Sequence, residues 1–294
     1  MRAFRLAYDG TPFYGFQRQP DVPTVEDALF DALRELGVLG GDEPKPTGYA
    51  AAGRTDAGVS ALAQTVAFEV PEWLTPRALN AELPASVRSW AAAEAPADFH
   101  ATFDATERRY EYHLYAPPGT GANGENADPG ERSEPAADGS HDAFDDERAA
   151  GALAALSGTH DVANLTPDDE HTERTLTLGG SREGPFYRID VRAGGFSREL
   201  VRRLVSVVRE VGTGEAGLDR VERVLDPEPL PGHVGVAPAP AEPLILVDVD
   251  YPDLDFEADE RAAASAREIF DRRRVERLTG ARVAGRIADG VGSE

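Results

Sequence analysis

AAGRTDAGVSA, residues 51–61, is the stretch on which the reading of this chain turns. Arg54 and Asp56 sit two apart between Gly53 and Gly58, in a run otherwise free of charge. Small neighbours let a ligand or another backbone approach closely, and both charged side chains reach into one space. The alternating run QTVAFEV follows at 64–70, so the loop is expected to be anchored over a sheet. A carboxylate in a partly dry site can act as nucleophile or general base. A nearby guanidinium keeps such a group ionised, which suits attack better than proton donation. The bland alternative is a loop aspartate that satisfies its own backbone, with Arg54 as a surface ion pair.

Upstream, Phe4, Leu6 and Tyr8 alternate with Arg5 and Ala7 as a strand, and YDGTPFYGFQRQP (8–20) is a loop rich in Gly, Pro and aromatics. Thr24 can cap a helix with Asp27 three residues on; Val25, Ala28, Leu29, Ala32, Leu33 and Leu36 follow at helical spacing, and Gly37 ends the run. Downstream, ASVRSWAAAEA (85–95) and ERRYEYHLYA (107–116) are further strands. Tyr112 and Tyr115 suit a core, whereas Tyr110 is a candidate to stack on an extruded base while its hydroxyl handles a proton. Residues 117–142 are low in complexity, rich in Gly, Pro and acid, and hold no aromatic residue. Such a segment cannot bury enough apolar surface to order itself and suits a flexible insertion.

A helix is expected over Ala143–Ser157, then a pair of strands from TERTLTLGG (172–180) and PFYRIDVRAGGF (185–196). SRELVRRLVSVVREVG (197–212) is a helix with Leu200, Leu204, Val207, Val208 and Val211 on one stripe. Arg198, Arg202 and Arg209 lie opposite. Of the adjacent pair Arg202 and Arg203, one is placed to point inward and pair with a carboxylate or phosphate. After a Pro-rich loop (226–243) comes the strand LILVDVDY (244–251), and the tail from Phe256 suits one or two helices that fray after Ile287. Strands and helices thus alternate in two rounds, before and after about residue 105, which predicts two α+β halves. No GxxxxGK[ST] motif is present and no GxGxxG opens a helix directly after an expected strand, so a nucleotide cofactor has no support.

The 294 residues suffice for one large domain or two ordinary ones. No apolar run is long enough to span a membrane, and the N-terminus lacks the apolar core of a signal peptide. With no cysteine, disulfides, thiolate nucleophiles and Cys-based metal sites are excluded, and the six histidines form no HExxH pattern. A cytoplasmic, metal-free protein is expected. The net charge is −23 at pH 7, and Lys45 is the only lysine. A GC-rich genome favours arginine codons, but it does not account for 53 acidic residues. A surface this acidic stays hydrated in concentrated salt, where self-repulsion is screened, so an extreme halophile is the expected source. The acid is uneven: residues 117–170 carry −11 and residues 171–247 only −1, so an anionic ligand is not excluded.

Taken together these stretches closely resemble the tRNA pseudouridine synthase A family. The resemblance rests on YDGTPFYGFQRQP, GRTDAGV, DFHATFDATERRYEYHLY, FSRELVRRLVSVVREVG and LILVDVDYP, and covers roughly residues 1–116 and 150–252. It implies a pseudouridine synthase fold, two similar α+β halves joined into an extended, mostly antiparallel sheet with flanking helices. The expected division is 1–104, 105–256 with the acidic insertion 117–142, and a helical tail at 257–294. It also implies a homodimer that binds the anticodon stem-loop of tRNA and isomerises uridine at positions 38, 39 and 40 without metal or organic cofactor. By the same resemblance Asp56 is the catalytic nucleophile and Tyr110 the residue that stacks on the base. Arg54 is the motif arginine that contacts substrate, and Arg202 pairs with the catalytic carboxylate.

The chain departs from the family pattern at three places. Ser60 stands where His often follows GRTDAGV; FSRELVR replaces an F..H..R opening; and the acidic stretch 117–142 replaces a segment that is often basic or aromatic. These alter RNA contacts rather than chemistry. The runner-up reading is a catalytically inactive tRNA-binding protein or RNA chaperone of the same fold, which would not need the nucleophile. A carboxylate-dependent glycoside hydrolase needs a second acid beside the first, and the motif holds none.

Overall fold

Thr24 accepts a hydrogen bond from the Asp27 amide through its hydroxyl and opens α1 (Val25–Glu35), as the capping pattern predicts. The computed structural model describes residues 1–117 and 143–291, so the expected insertion lies outside the described residues except for Pro117. β1 (Arg2–Tyr8) precedes α1. β2 (Ala50–Ala51), β3 (Ser60–Phe68), α2 (Pro76–Glu82), β4 (Val87–Glu94) and β5 (Glu107–Tyr115) follow it. The second round holds α3 (Asp146–Leu156), β6 (Gly158–Asp161), β7 (Glu173–Glu183), β8 (Phe186–Ala193), α4 (Leu200–Thr213), α5 (Asp219–Val224) and β9 (Leu244–Asp250). β10 (Glu257–Ala258) and α6 (Glu260–Gly290) close the chain.

The strands form one sheet in the order β10-β4-β1-β3-β9-β5-β8-β7-β6, with β2 paired to β3 off that path. Every pairing is antiparallel except β3 with β9, where Ser60 and Ala61 face Ile245 and Leu246. This parallel seam joins the two rounds, giving an extended, mostly antiparallel sheet with helices packed against it, as expected. We propose the division near residue 104 because it falls between β4 and β5. The tail is less separable, since β10 pairs with β4 and α6 packs on the same strand.

Several elements differ from expectation for local reasons. α4 starts at Leu200, not 197, because Glu199 is left-handed (φ 61°) and the Arg198 amide is drawn off to Asp168 Oδ2 at 2.9 Å. Its stripe from Leu200 to Val211 is buried as expected. α3 starts at Asp146 because the Asp145 carboxylate caps it, accepting from the Glu147 and Arg148 amides. The tail is a single helix that runs to Gly290 without fraying at Ile287. The short helices α2 and α5 carry too few turns to show a periodicity and were not expected. No described helix is long and apolar enough to cross a membrane.

Asp9, just past β1, tethers α6. Its Oδ2 accepts from Arg273 at 2.5 Å and Arg277 at 2.7 Å, and its Oδ1 from the Thr11 hydroxyl and amide. Burial alone would raise its pKa, but the Thr11 and Arg277 bonds outweigh burial and hold it at about 2. The tether therefore contributes stability above the ordinary value of 3.8 and loses it as pH falls towards 2.

Candidate active site

Asp56 lies four residues before β3, at the seam where the two rounds meet. The loop it sits on is stapled in place. The Gly58 amide donates to Phe13 O (3.2 Å), Phe16 N donates to Thr55 O (3.0 Å), and the Tyr8 and Thr55 hydroxyls are 2.8 Å apart in the core. Gln64, fully buried in β3, donates from Nε2 to Gly53 O at 3.0 Å. Gly58 has φ +83°, where side chains strain. A Cβ there would also crowd Ala241 Cβ at 3.3 Å, and one on Gly10, across the loop, would sit 2.2 Å from Val59 O. The small residues of the motif thus serve close approach as well as space.

Arg202, in the first turn of α4, donates from Nη1 to Asp56 Oδ2 at 3.2 Å; its Nε donates to Ala239 O at 2.6 Å. It is the inward member of its pair: Arg203 turns away to Glu199 and the Val236 carbonyl. The guanidinium beside Asp56 is therefore that of Arg202, the arginine the resemblance pairs with it, and not that of Arg54. Arg54 is exposed at the cleft mouth and makes no ion pair among the described residues. Arg198 pairs with Asp168 and Arg209 with Glu215, both on the surface.

Tyr110 faces the same cleft from β5, its ring edge-on to Phe196 at 5.1 Å. Burial pushes its hydroxyl up to about 12, with Arg108 opposing and the nearby Asp56 carboxylate adding to the rise. At neutral pH it is a phenol, able to donate a proton and accept one. Tyr112 is buried core as expected, and Tyr115 is half-buried against Phe186. The cleft has a volume of about 620 Å³ and is lined by Arg54, Asp56, Tyr110, Arg198 and Arg202 among others. Among the described residues no group of His, Asp or Glu side chains is arranged to hold a metal ion.

Arg108 was not singled out in the sequence. On alternating β5 it occupies the inward face with Tyr110 and Tyr112, and an arginine at such a position is the available signal. It donates to Ala52 O (3.1 and 2.7 Å), Thr102 O (2.7 Å) and Gly194 O, tying three cleft loops together. Arg108→Met leaves these carbonyls without a donor. The expected loss is about 3 kcal/mol, from roughly 1 kcal/mol or more per stranded carbonyl. Thermal unfolding should fall by about 6–12 °C; an unchanged midpoint would contradict the role.

Residues 152–252 match the family model described as tRNA pseudouridine synthase. A tRNA pseudouridine synthase A of Natronomonas pharaonis is 57% identical over 288 residues, covering 98% of this chain and 99% of that protein. The protein of that name from Haloarcula marismortui is 54% identical, with 99% and 100% covered. That of Methanocella arvoryzae is 38% identical, with 90% and 89% covered. Among solved structures, a chain from a Cbf5-Nop10-Gar1 complex aligns with 72% of this chain and 45% of its own, at 12% identity and a TM-score of 0.33. The first two relatives come from halophilic archaea, which fits the source expected from the charge.

Proposed function

The chain belongs to the tRNA pseudouridine synthase A family, and from that we propose that it isomerises uridine to pseudouridine in tRNA, with Asp56 as nucleophile. The observation that carries the residue assignment is the Asp56–Arg202 pair at 3.2 Å beside Tyr110, in a cleft within the size range of small-ligand sites. A binding-only relative has no need of that arrangement and is not favoured.

The reaction breaks N1–C1′, turns the uracil and joins C5 to C1′; C5 loses a proton and N1 gains one. Asp56, held by Arg202, adds to the base or to C1′ and keeps one fragment while the other turns. Reactants and product are isomers, so the balance needs no oxidant or reductant. The target uridine must leave its stack to reach Asp56, and exposed Arg54 is placed to occupy the vacated space or meet phosphate. Tyr110 stacks on the uracil, and as a phenol it passes on its own proton as it accepts the one leaving C5. We place the substrate uridines at positions 38, 39 and 40 of the anticodon stem-loop, the assembly as a homodimer and the site of action in the cytoplasm.

Tritium release tests the reaction. A tRNA transcript carrying tritium at uridine C5 should lose label to water on incubation with the protein in concentrated KCl. Full retention of label would overturn the proposed activity. Tyr110→Phe tests the proton relay. RNA affinity should stay within about twofold while turnover falls by roughly 10²–10⁴, the usual contribution of acid–base catalysis. Turnover equal to wild type would leave Tyr110 with stacking alone.

A further inference from the structure

A second cavity, of about 660 Å³, adjoins the Asp56–Arg202 pair. It shares Arg54, Thr55, Asp56, Glu199 and Arg202 with the first cleft, so the two cavities meet at these residues. Its own wall is made by the YDGTPFYGFQRQP loop, which has no part in the chemistry above. Tyr14 stands there with 57% of its surface exposed. The ring is uncovered, but its backbone is fixed. Tyr14 N donates to Pro23 O at 2.8 Å, and Gln19 Nε2 donates to Tyr14 O at 2.7 Å. Gly15 follows at φ +102°, packed so that an added Cβ would lie 2.9 Å from Thr55 O. Tyr14 is therefore held in register with the Asp56 loop.

A solvent-facing aromatic ring on a fixed backbone is a ready platform, and any nucleobase has a face to lay on it. Gln17 lines the same cavity, with no side-chain hydrogen bond among the described residues; its amide offers both a donor and an acceptor to a base edge. Glu199 and Glu242 on the cavity wall would repel a phosphate but not a neutral base. We propose that Tyr14 stacks on the nucleobase adjoining the uridine that enters the Asp56–Tyr110 cleft, with Gln17 at that base's edge. This assignment rests on the proposed function, and the RNA strand then straddles Arg54, one base in each cavity.

The test uses the full chain in molar KCl and two anticodon stem-loop RNAs, with 2-aminopurine on the 5′ or the 3′ side of the target uridine. Wild type should quench one of the two. Tyr14→Ala should abolish that quenching and weaken binding by about 5- to 150-fold, the range for loss of one stacked base. Tyr14→Phe keeps the ring and should restore both. Wild-type affinity and quenching in Tyr14→Ala would overturn the assignment. A change in oligomeric state on sedimentation, with RNA affinity intact, would also overturn it, because the ring would then contact protein. Unmodified RNA after incubation with wild type would instead sink the proposed function. Pseudouridine in that control, with Tyr14→Ala binding normally, would remove only the stacking role.

Discussion

Asp56→Asn should lower pseudouridine formation by at least about 10³-fold, the scale on which loss of a covalent nucleophile is felt. The amide keeps the size of the side chain and an acceptor for Arg202, but it lacks the negative charge that attacks. Asp56 is only half-buried and its loop is held mainly by backbone bonds from Phe16 and Gly58, so the variant should fold and bind tRNA. Asp56→Glu should also fail, by about 10²-fold, because the extra methylene displaces the attacking oxygen by over ~1 Å. Single-turnover assays with tRNA binding measured alongside separate the two effects. Near-wild-type rates in Asp56→Asn would remove the carboxylate from the chemistry.

The second large effect is that of salt. RNA binding ordinarily weakens as salt rises, because counterions released from phosphate are worth less. This chain carries −23, and its arginines are widely committed to carboxylates, as in Arg18–Asp27, Arg109–Asp190 and Arg209–Glu215. The uncompensated acid repels both itself and tRNA at low ionic strength. Molar KCl screens that field over roughly 3 Å while leaving the close Arg202–Asp56 contact mostly intact. Folding and activity should therefore both rise with KCl into the molar range. Deleting residues 119–141, which carry five acids against Arg132, should shift the optimum to lower salt and leave activity in place. Circular dichroism and pseudouridine yield across a KCl series read the two effects. A full-length optimum at or below about 0.15 M would contradict the halophilic reading and leave Asp56 untouched.

Long periodic elements were legible from sequence: the α4 stripe, the Thr24 cap and the β7–β8 pair all stand where the pattern placed them. The parallel β3–β9 seam was not, because pairing across about 180 residues of chain leaves no local signature. The same limit governed the partner of Asp56. Nearness in sequence pointed to Arg54 and helical phase to one of Arg202 and Arg203; only the family resemblance named Arg202. The fold brings Arg202 to Asp56 because α4 begins only two residues before it and Ala239 O fixes its Nε. Arg108 was hidden by its neighbour: Arg109 in the same pair is a surface residue bound to Glu111 and Asp190, and only strict alternation separates them. Tyr14 left no periodic trace, since its place depends on tight backbone approach at Gly15.

Mapping pseudouridine at single-nucleotide resolution is the most direct test of uridine isomerisation at Asp56. An unmodified tRNA transcript with uridines at 38, 39 and 40 is incubated in molar KCl with wild type or with Asp56→Asn, each verified as folded and bound. Pseudouridine at one or more of those positions with wild type, and none with Asp56→Asn, is the expected result. An unmodified anticodon arm with folded, bound wild type, or equal modification by both proteins, would contradict it.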